Sequence, residues 1–164
     1  MAAMTPRPPE WTRTAPVKVS ASREMQATAD EVFAALADHE TWPEWFAALS
    51  KVERLGEQAE GVGSKRRVHI GGRVVIDEEF IVWEPGSAWG FTVYESSPRL
   101  LKSLNELVTI QTLAPDRVRV TYLMAIDPTR PVGLLLRAGA KRQLKKNLGS
   151  ALEALGRRLA SNPA

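Results

Sequence analysis

The last thirty residues or so restrict the fold more than any other part of this chain. Between positions 131 and 160, Leu136, Ala140, Leu144, Leu148, Leu152, Leu155 and Leu159 recur at helical spacing, which predicts one long amphipathic helix with a continuous apolar stripe. Six β-rich runs precede it, at 52–55, 65–70, 74–83, 88–95, 103–113 and 117–126. They are separated by turns such as Gly71-Gly72, Glu84-Pro85-Gly86 and Ala114-Pro115-Asp116, and connections this short join antiparallel neighbours. One helix stripe must then cover the concave face of a twisted sheet. A cylinder does not fill that concavity, so space for a ligand is left at one end. Asp127-Pro128 closes the last strand, Pro131 starts the helix, and Gly133, Gly139, Gly149 and Gly156 are its candidate bends.

Upstream of the sheet the signals are local. Residues 1–15 are rich in Pro and Thr and lack periodicity, so they read as a flexible leader, with Trp11 as the one group suited to docking. A single domain is expected over 16–162. Val17, Val19, Ala21 and Met25 alternate with Lys18, Ser20, Ser22 and Glu24, the pattern of a half-buried strand. Thr28 stands three residues before Glu31 and ahead of Val32, Phe33 and Leu36, a capping box opening a helix of about ten residues. Pro43 begins a second short helix through Trp45, Phe46 and Leu49. The expected architecture is α+β: a seven-stranded curved antiparallel sheet wrapped around one long C-terminal helix, with two short helices between strands 1 and 2 and an internal hydrophobic cavity.

The absence of Cys from 164 residues excludes iron-sulfur clusters, thiolate zinc sites, thiol nucleophiles and a disulfide scaffold. The two histidines, His39 and His69, have no second His or carboxylate at metal-ligand spacing. No metal and no cofactor are therefore expected. His39 reads as a surface residue at the end of the first helix, and His69 as outward-facing between Val68 and Ile70. There is no Gly-x-Ser-x-Gly elbow, phosphate loop or dinucleotide fingerprint. No signal-peptide or membrane-length apolar run occurs, so a cytoplasmic protein without stable membrane insertion is expected. The net charge of +3 conceals an asymmetry: positions 131–160 hold seven basic groups against one acid, and the remainder is net −3. Because that segment also carries the leucine stripe, its basic groups are read as the wet side of a helix rather than a nucleic-acid or anionic-lipid surface.

The stretch ATADEVFAALADHETWPEW (27–45), the glycines of EGVGSKRR (60–67), the turn FIVWEPGSAWGF (80–91) and the closing helix together resemble the START-related, pollen-allergen-like helix-grip superfamily (SRPBCC). Within it the chain is most similar to the bacterial polyketide cyclase/dehydrase and lipid-transport branch. The matching positions are Asp30, Val32, Phe33, Asp38, Trp42, Trp45, Gly61, Gly63 and Pro85, with Phe33 standing where many members have Trp. The resemblance implies a hydrophobic cavity between the sheet and the terminal helix, bounded at one end by the two short helices. Its expected walls are Trp45, Phe46, Phe80, Trp83, Trp89, Phe91 and Val93, together with Leu136, Ala140 and Leu144 from the terminal helix.

Polar candidates follow from strand parity. If Leu113 faces inward, then Leu107, Thr109 and Gln111 share its face. Val108 and Ile110 are then too apolar for a wet outer face, so either that face is covered, by a second subunit or the leader, or the opposite parity holds. Tyr122 joins the inward set Val118, Val120 and Met124, where its hydroxyl orients a ligand or satisfies a backbone carbonyl. At Gly71-Gly72, a three-residue loop that includes Arg73 places Ile70 opposite Val74 and Val68 opposite Ile76, with all four on one face. The same register sets Lys65, Arg66 and Arg67 opposite Glu79, Glu78 and Asp77. Arg66 and Glu78 then fall on the inward face, either hydrogen-bonding at the cavity rim or fixing register with both heads in water. The expected function is binding or transport of a hydrophobic small molecule, a lipid, isoprenoid or polyketide, by a monomer or homodimer. A polyketide cyclase or aromatase-like enzyme using the same cavity is the alternative.

Overall fold

The computed structural model describes residues 1–161; Asn162, the last residue of the expected domain, lies outside the described residues. Seven strands form one antiparallel sheet: β2 (Val17–Gln26), β3 (Leu49–Leu55), β4 (Lys65–Ile70), β5 (Val74–Glu84), β6 (Ala88–Ser97), β7 (Leu101–Ala114) and β8 (Arg117–Pro128). Their order is β2-β8-β7-β6-β5-β4-β3. Two short helices, α1 (Ala29–Ala37) and α2 (Trp42–Trp45), lie between β2 and β3. The α1 N-terminus carries the expected capping box, in which the Glu31 N–H donates to Thr28 Oγ1 and the Thr28 N–H donates to Glu31 Oε2. The β4–β5 hairpin has the expected register, with Ile70 opposite Val74, Val68 opposite Ile76, and each basic residue opposite an acid.

An eighth strand comes from the leader. Pairing of β6 with β7 stops at Thr92 and Asn105, and β1 (Ala2–Ala3) enters the opening, pairing with Ser96 and Glu95 of β6. The Met4 N–H then donates to the Tyr94 carbonyl and the Thr5 N–H to that of Lys102, which satisfies backbone groups the diverging strands would otherwise leave unpaired. Arg7 donates to Thr92 Oγ1 and Ser103 Oγ, while the Asn105 side chain donates to the carbonyls of Arg7 and Pro8. Trp11 packs beneath the Arg7 guanidinium at 5.5 Å. The segment expected as a loose leader thus lies stitched to the sheet.

The terminal helix is interrupted. α3 (Arg130–Leu135) runs into a wide turn at Leu136–Ala140, and α4 (Lys141–Ser161) continues the chain. The break falls at Gly139, whose φ of +119° is a conformation that side chains with a Cβ rarely adopt. Leu148, Ala151, Leu152 and Leu155 of α4 are buried, mainly against β2. Full burial of each leucine contributes about 1.5–3 kcal/mol. Because the helix changes direction at Gly139, Ala140 is exposed instead of continuing the stripe.

The inner face of β7 carries Leu104, Glu106, Val108 and Ile110, all buried, whereas Thr109 and Gln111 are exposed. The parity counted back from Leu113 is therefore inverted. A register shift between Thr112 and Ala114 breaks the alternation between Leu113 and the body of the strand. The apolar Val108 and Ile110 point to the core, opposite Tyr122 and Val120 of β8.

Candidate ligand cavity

Between the sheet and the terminal helix lie two adjoining pockets with part of their walls in common, the inner and outer lobes of the site. The inner lobe, about 170 Å³, is bounded by Phe46, Val68, Phe91, Tyr122 and Leu148, with Arg66 and Glu78 in its wall. The outer lobe, about 290 Å³, is bounded by Met4, Val74, Leu101, Leu104, Ile126 and Leu136. Ile70, Ile76, Glu106, Met124 and Leu144 line both. The space is of small-molecule size, and among the described residues Glu106 is the one ionisable group common to its two halves.

Arg66 and Glu78 are buried outright, neither at a rim nor in water. Arg66 Nε donates to Glu78 Oε2 at 2.5 Å, and the two side chains are 1% and 2% exposed. The guanidinium carbon lies 4.4 Å from the Trp42 ring, 5.0 Å from Trp89, 5.2 Å from Phe91 and 5.3 Å from Phe80. This aromatic cage offsets part of the cost of removing a cation from water. Burial pushes the Glu78 carboxyl above its ordinary range, opposed by the charge and hydrogen bond of Arg66. On the other face of the hairpin, Arg67 donates two hydrogen bonds to Asp77, at 2.7 and 2.8 Å.

Glu106 and Tyr122 form the second polar pair. The Tyr122 hydroxyl donates to Glu106 Oε2, and both side chains are buried. Burial raises the Glu106 carboxyl to about 7, and nearby Glu78 adds to the shift while the Tyr122 hydrogen bond and Arg66 oppose it. The Tyr122 phenol is pushed up by burial and then by Glu106. At neutral pH the cavity thus holds an acid able to donate or accept a proton, beside a hydroxyl that stays protonated. Among the described residues, no group of three or more His, Asp or Glu side chains could hold a metal ion.

The structure sorts the sequence-derived candidates by what they touch. Phe46, Arg66, Glu78, Phe91, Tyr122, Leu136 and Leu144 line the cavity. Trp45, Phe80, Trp83, Trp89 and Val93 line neither lobe. Instead Phe80 lies 5.1 Å from Trp83 and 5.0 Å from Trp89, while Trp45 lies 4.6 Å from Trp42, so these rings fill the closed end as solid core. Thr109, Gln111 and Ala140 lie on the surface. His39, expected at the surface, is 1% exposed and stacks on Phe80 at 4.9 Å. Its pKa is lowered to about 3 by burial, then by Arg66 and Arg54. Glu106 was missed because the assumed β7 parity turned it outward. An acid alternating with Leu104, Val108 and Ile110 is the signal that would have found it.

A protein-family model described as polyketide cyclase / dehydrase and lipid transport matches residues 16–160. An uncharacterized protein of Mycobacterium tuberculosis is 33% identical over 130 residues, 77% of each chain. A START superfamily protein from Mycobacterium smegmatis superimposes with a TM-score of 0.72 at 20% identity, covering 87% of this chain and 98% of that one. A Thalictrum norcoclaurine synthase point mutant in complex with a transition state analogue gives 0.70 at 14% identity, covering 90% and 96%. A di-domain ARO/CYC protein, BexL from the BE-7585A biosynthetic pathway, gives 0.70 at 20% identity over 90% of this chain and 48% of its own length. No helix among the described residues is long and apolar enough to cross a membrane. With a family match over nearly the whole chain, the protein belongs to the polyketide cyclase / dehydrase and lipid transport family, and its curved sheet gripping a C-terminal helix is the fold it shares with the START superfamily protein.

Proposed function

We propose that this protein binds a small, largely apolar molecule, of lipid, isoprenoid or polyketide type, between the sheet and α4. The observation that carries the reading is the two-lobed cavity, aliphatic over most of its wall, with Glu106 lining both lobes, Arg66, Glu78, Tyr122 and Asn147 the inner one and Ser96 the outer one. Removing apolar surface from water drives such a ligand in, and a few fixed polar groups orient it. An environment-sensitive naphthalene or fatty-alcohol dye is expected to bind saturably and to be displaced by apolar competitors. Native mass spectrometry of freshly purified protein then reports any ligand carried through purification. Absence of saturable binding by every probe would sink the proposal.

A second reading, catalysis of the cyclase or dehydrase type, is favoured by one specific feature. Glu106 changes protonation near neutrality and is hydrogen-bonded to Tyr122, which suits it to take a proton from a carbon beside a ketone and return it elsewhere. Incorporation of solvent deuterium next to the carbonyl of a bound ketone, lost in Glu106→Gln, would support this reading. Binding without exchange would leave the protein a carrier.

A further inference from the structure

We infer that the ligand's polar group is an uncharged oxygen within its length, a ketone or secondary hydroxyl received by Glu106 and Tyr122 where the lobes meet, and that alkyl carboxylates are rejected. The inference rests on the small-molecule reading above and adds the chemistry of the ligand. Its basis is a charge inventory. Among the described residues, Arg66 is the only cationic side chain lining either lobe, and Glu78 already neutralises it at 2.5 Å. The groups facing Glu106 are Tyr122 from β8, Glu78 from β5 and Arg66 from β4, while α4 contributes Leu144, Asn147 and Leu148 to the same wall. Among the described residues, no unpaired cation lines either lobe to receive an incoming anion. A carboxylate placed here would lie beside two acids, and an unpaired buried charge is among the costliest arrangements in a protein interior.

An uncharged oxygen meets the opposite situation. Glu106 Oε2 takes the Tyr122 hydroxyl, which leaves Oε1 to meet the ligand. Protonated, Glu106 donates to a ketone; ionised, it accepts from a hydroxyl. The position of the oxygen follows from the walls. Val68, Phe91 and Leu148 lie on one side of Glu106, and Val74, Leu101 and Ile126 on the other. A ligand filling both lobes therefore places apolar chain on either side of its oxygen.

The test is a matched series titrated into the full chain by dye displacement: a mid-chain dodecanone, a mid-chain dodecanol, dodecane, dodecanoate and dodecylamine, each at about pH 6 and about pH 8, on either side of the Glu106 value. The ketone and the alcohol are expected to bind at least about tenfold tighter than dodecane and dodecanoate. Raising the pH weakens the ketone, which loses its donor, and leaves the alcohol nearly unchanged. In Glu106→Gln the amide donates at either pH, so the ketone's pH dependence disappears, an effect that a merely structural role would not produce. The wild-type series decides the matter even if that variant folds poorly. Dodecanoate or dodecylamine binding as tightly as the alcohol would overturn this inference while leaving the binding reading intact. If no member of the series binds, the binding reading falls and this inference with it.

Discussion

The two ends of the core are built from different materials. At the closed end, beneath α1 and α2, rings meet rings: His39 lies 4.9 Å from Phe80, Trp42 5.0 Å from Trp89, and Phe33 5.7 Å from Trp83. At the open end, where the leader enters and the terminal helix breaks, the walls are Val74, Leu101, Leu104, Ile126 and Leu136, and the outer lobe remains empty of side chains. Flat rings offset and stack until no gap is left, whereas aliphatic side chains from diverging strands and a bent helix do not close the space. Aromatic density therefore marks the part of this fold that is full. The inner lobe starts at the edge of this stack, with Phe46, Phe91 and Tyr122 in its wall, and the outer lobe begins where the aromatics stop.

Each end also holds a buried ionisable group, and the two respond to pH in opposite senses. His39 has a folded-state pKa of about 3 against 6.5 for the free side chain. The unfolded chain binds more protons between those values, so stability present above pH 6.5 is lost as the pH falls toward 3, about 5 kcal/mol in all. His39→Phe keeps the stacking on Phe80 and removes this loss. Denaturant titrations across that range are expected to show the variant retaining in acid what the parent loses. Equal acid sensitivity would mean that His39 is not held neutral, and the closed end would not be sealed.

The next largest effect falls at the boundary between the ends. Arg66→Met leaves Glu78 buried without its partner and is expected to cost about 3–5 kcal/mol. Glu78→Gln also breaks the pair and weakens displacement of a bound dye, because Glu78 lines the inner lobe. Glu79→Gln does neither, since its partner Lys65 lies 3.4 Å away on the half-exposed face. Equal effects of the two glutamine variants on binding would detach the caged pair from the cavity.

Glu106 gives a smaller effect of opposite sign to His39. Its folded value of about 7 lies above the ordinary 4.5, so the native state binds more protons in between. Stability present below pH 4.5 falls as the pH rises to 7, by about 3 kcal/mol. In Glu106→Gln this term vanishes. The difference in stability between the variant and the parent should therefore grow with pH over that window and level off above it. A difference independent of pH would show that Glu106 ionises as freely as an exposed carboxyl, and the open end would then be wet.

The contrast between the ends also explains what the amino-acid pattern discloses. The β4–β5 hairpin is legible because only one register unites Val68, Ile70, Val74 and Ile76 on a face while opposing every charge. The α1 capping box is legible because its signal spans four residues. The open end depends on features with weak local signals. Of the four glycines in the terminal segment, only Gly139 takes the left-handed conformation that breaks the helix, with a φ of +119°. The Ala2–Ala3 strand forms because β6 and β7 diverge, a tertiary event. The shift at Thr112 inverted the apparent parity of β7 and so concealed Glu106. His39 follows α1 without an apolar pattern of its own, and its burial comes from Phe80 and Trp83, about forty residues away in sequence.

The smallest expected effect tests the parity itself. Thr109 and Gln111 are exposed on β7, and Gln111 Oε1 accepts only a long hydrogen bond, 3.5 Å, from Arg119. Solvent replaces such a contact at little cost, and surface substitutions of this kind stay within about 0.5 kcal/mol. Thr109→Ser and Gln111→Ala should therefore leave the denaturation midpoint nearly unchanged and the displacement curve of a bound dye superimposable on the parent's. Ile110→Ala, between them on the opposite face, removes a buried side chain and is expected to cost about 2–5 kcal/mol. If Gln111→Ala weakened dye binding while Ile110→Ala left stability untouched, β7 would face the other way, and Glu106 would leave the cavity with it.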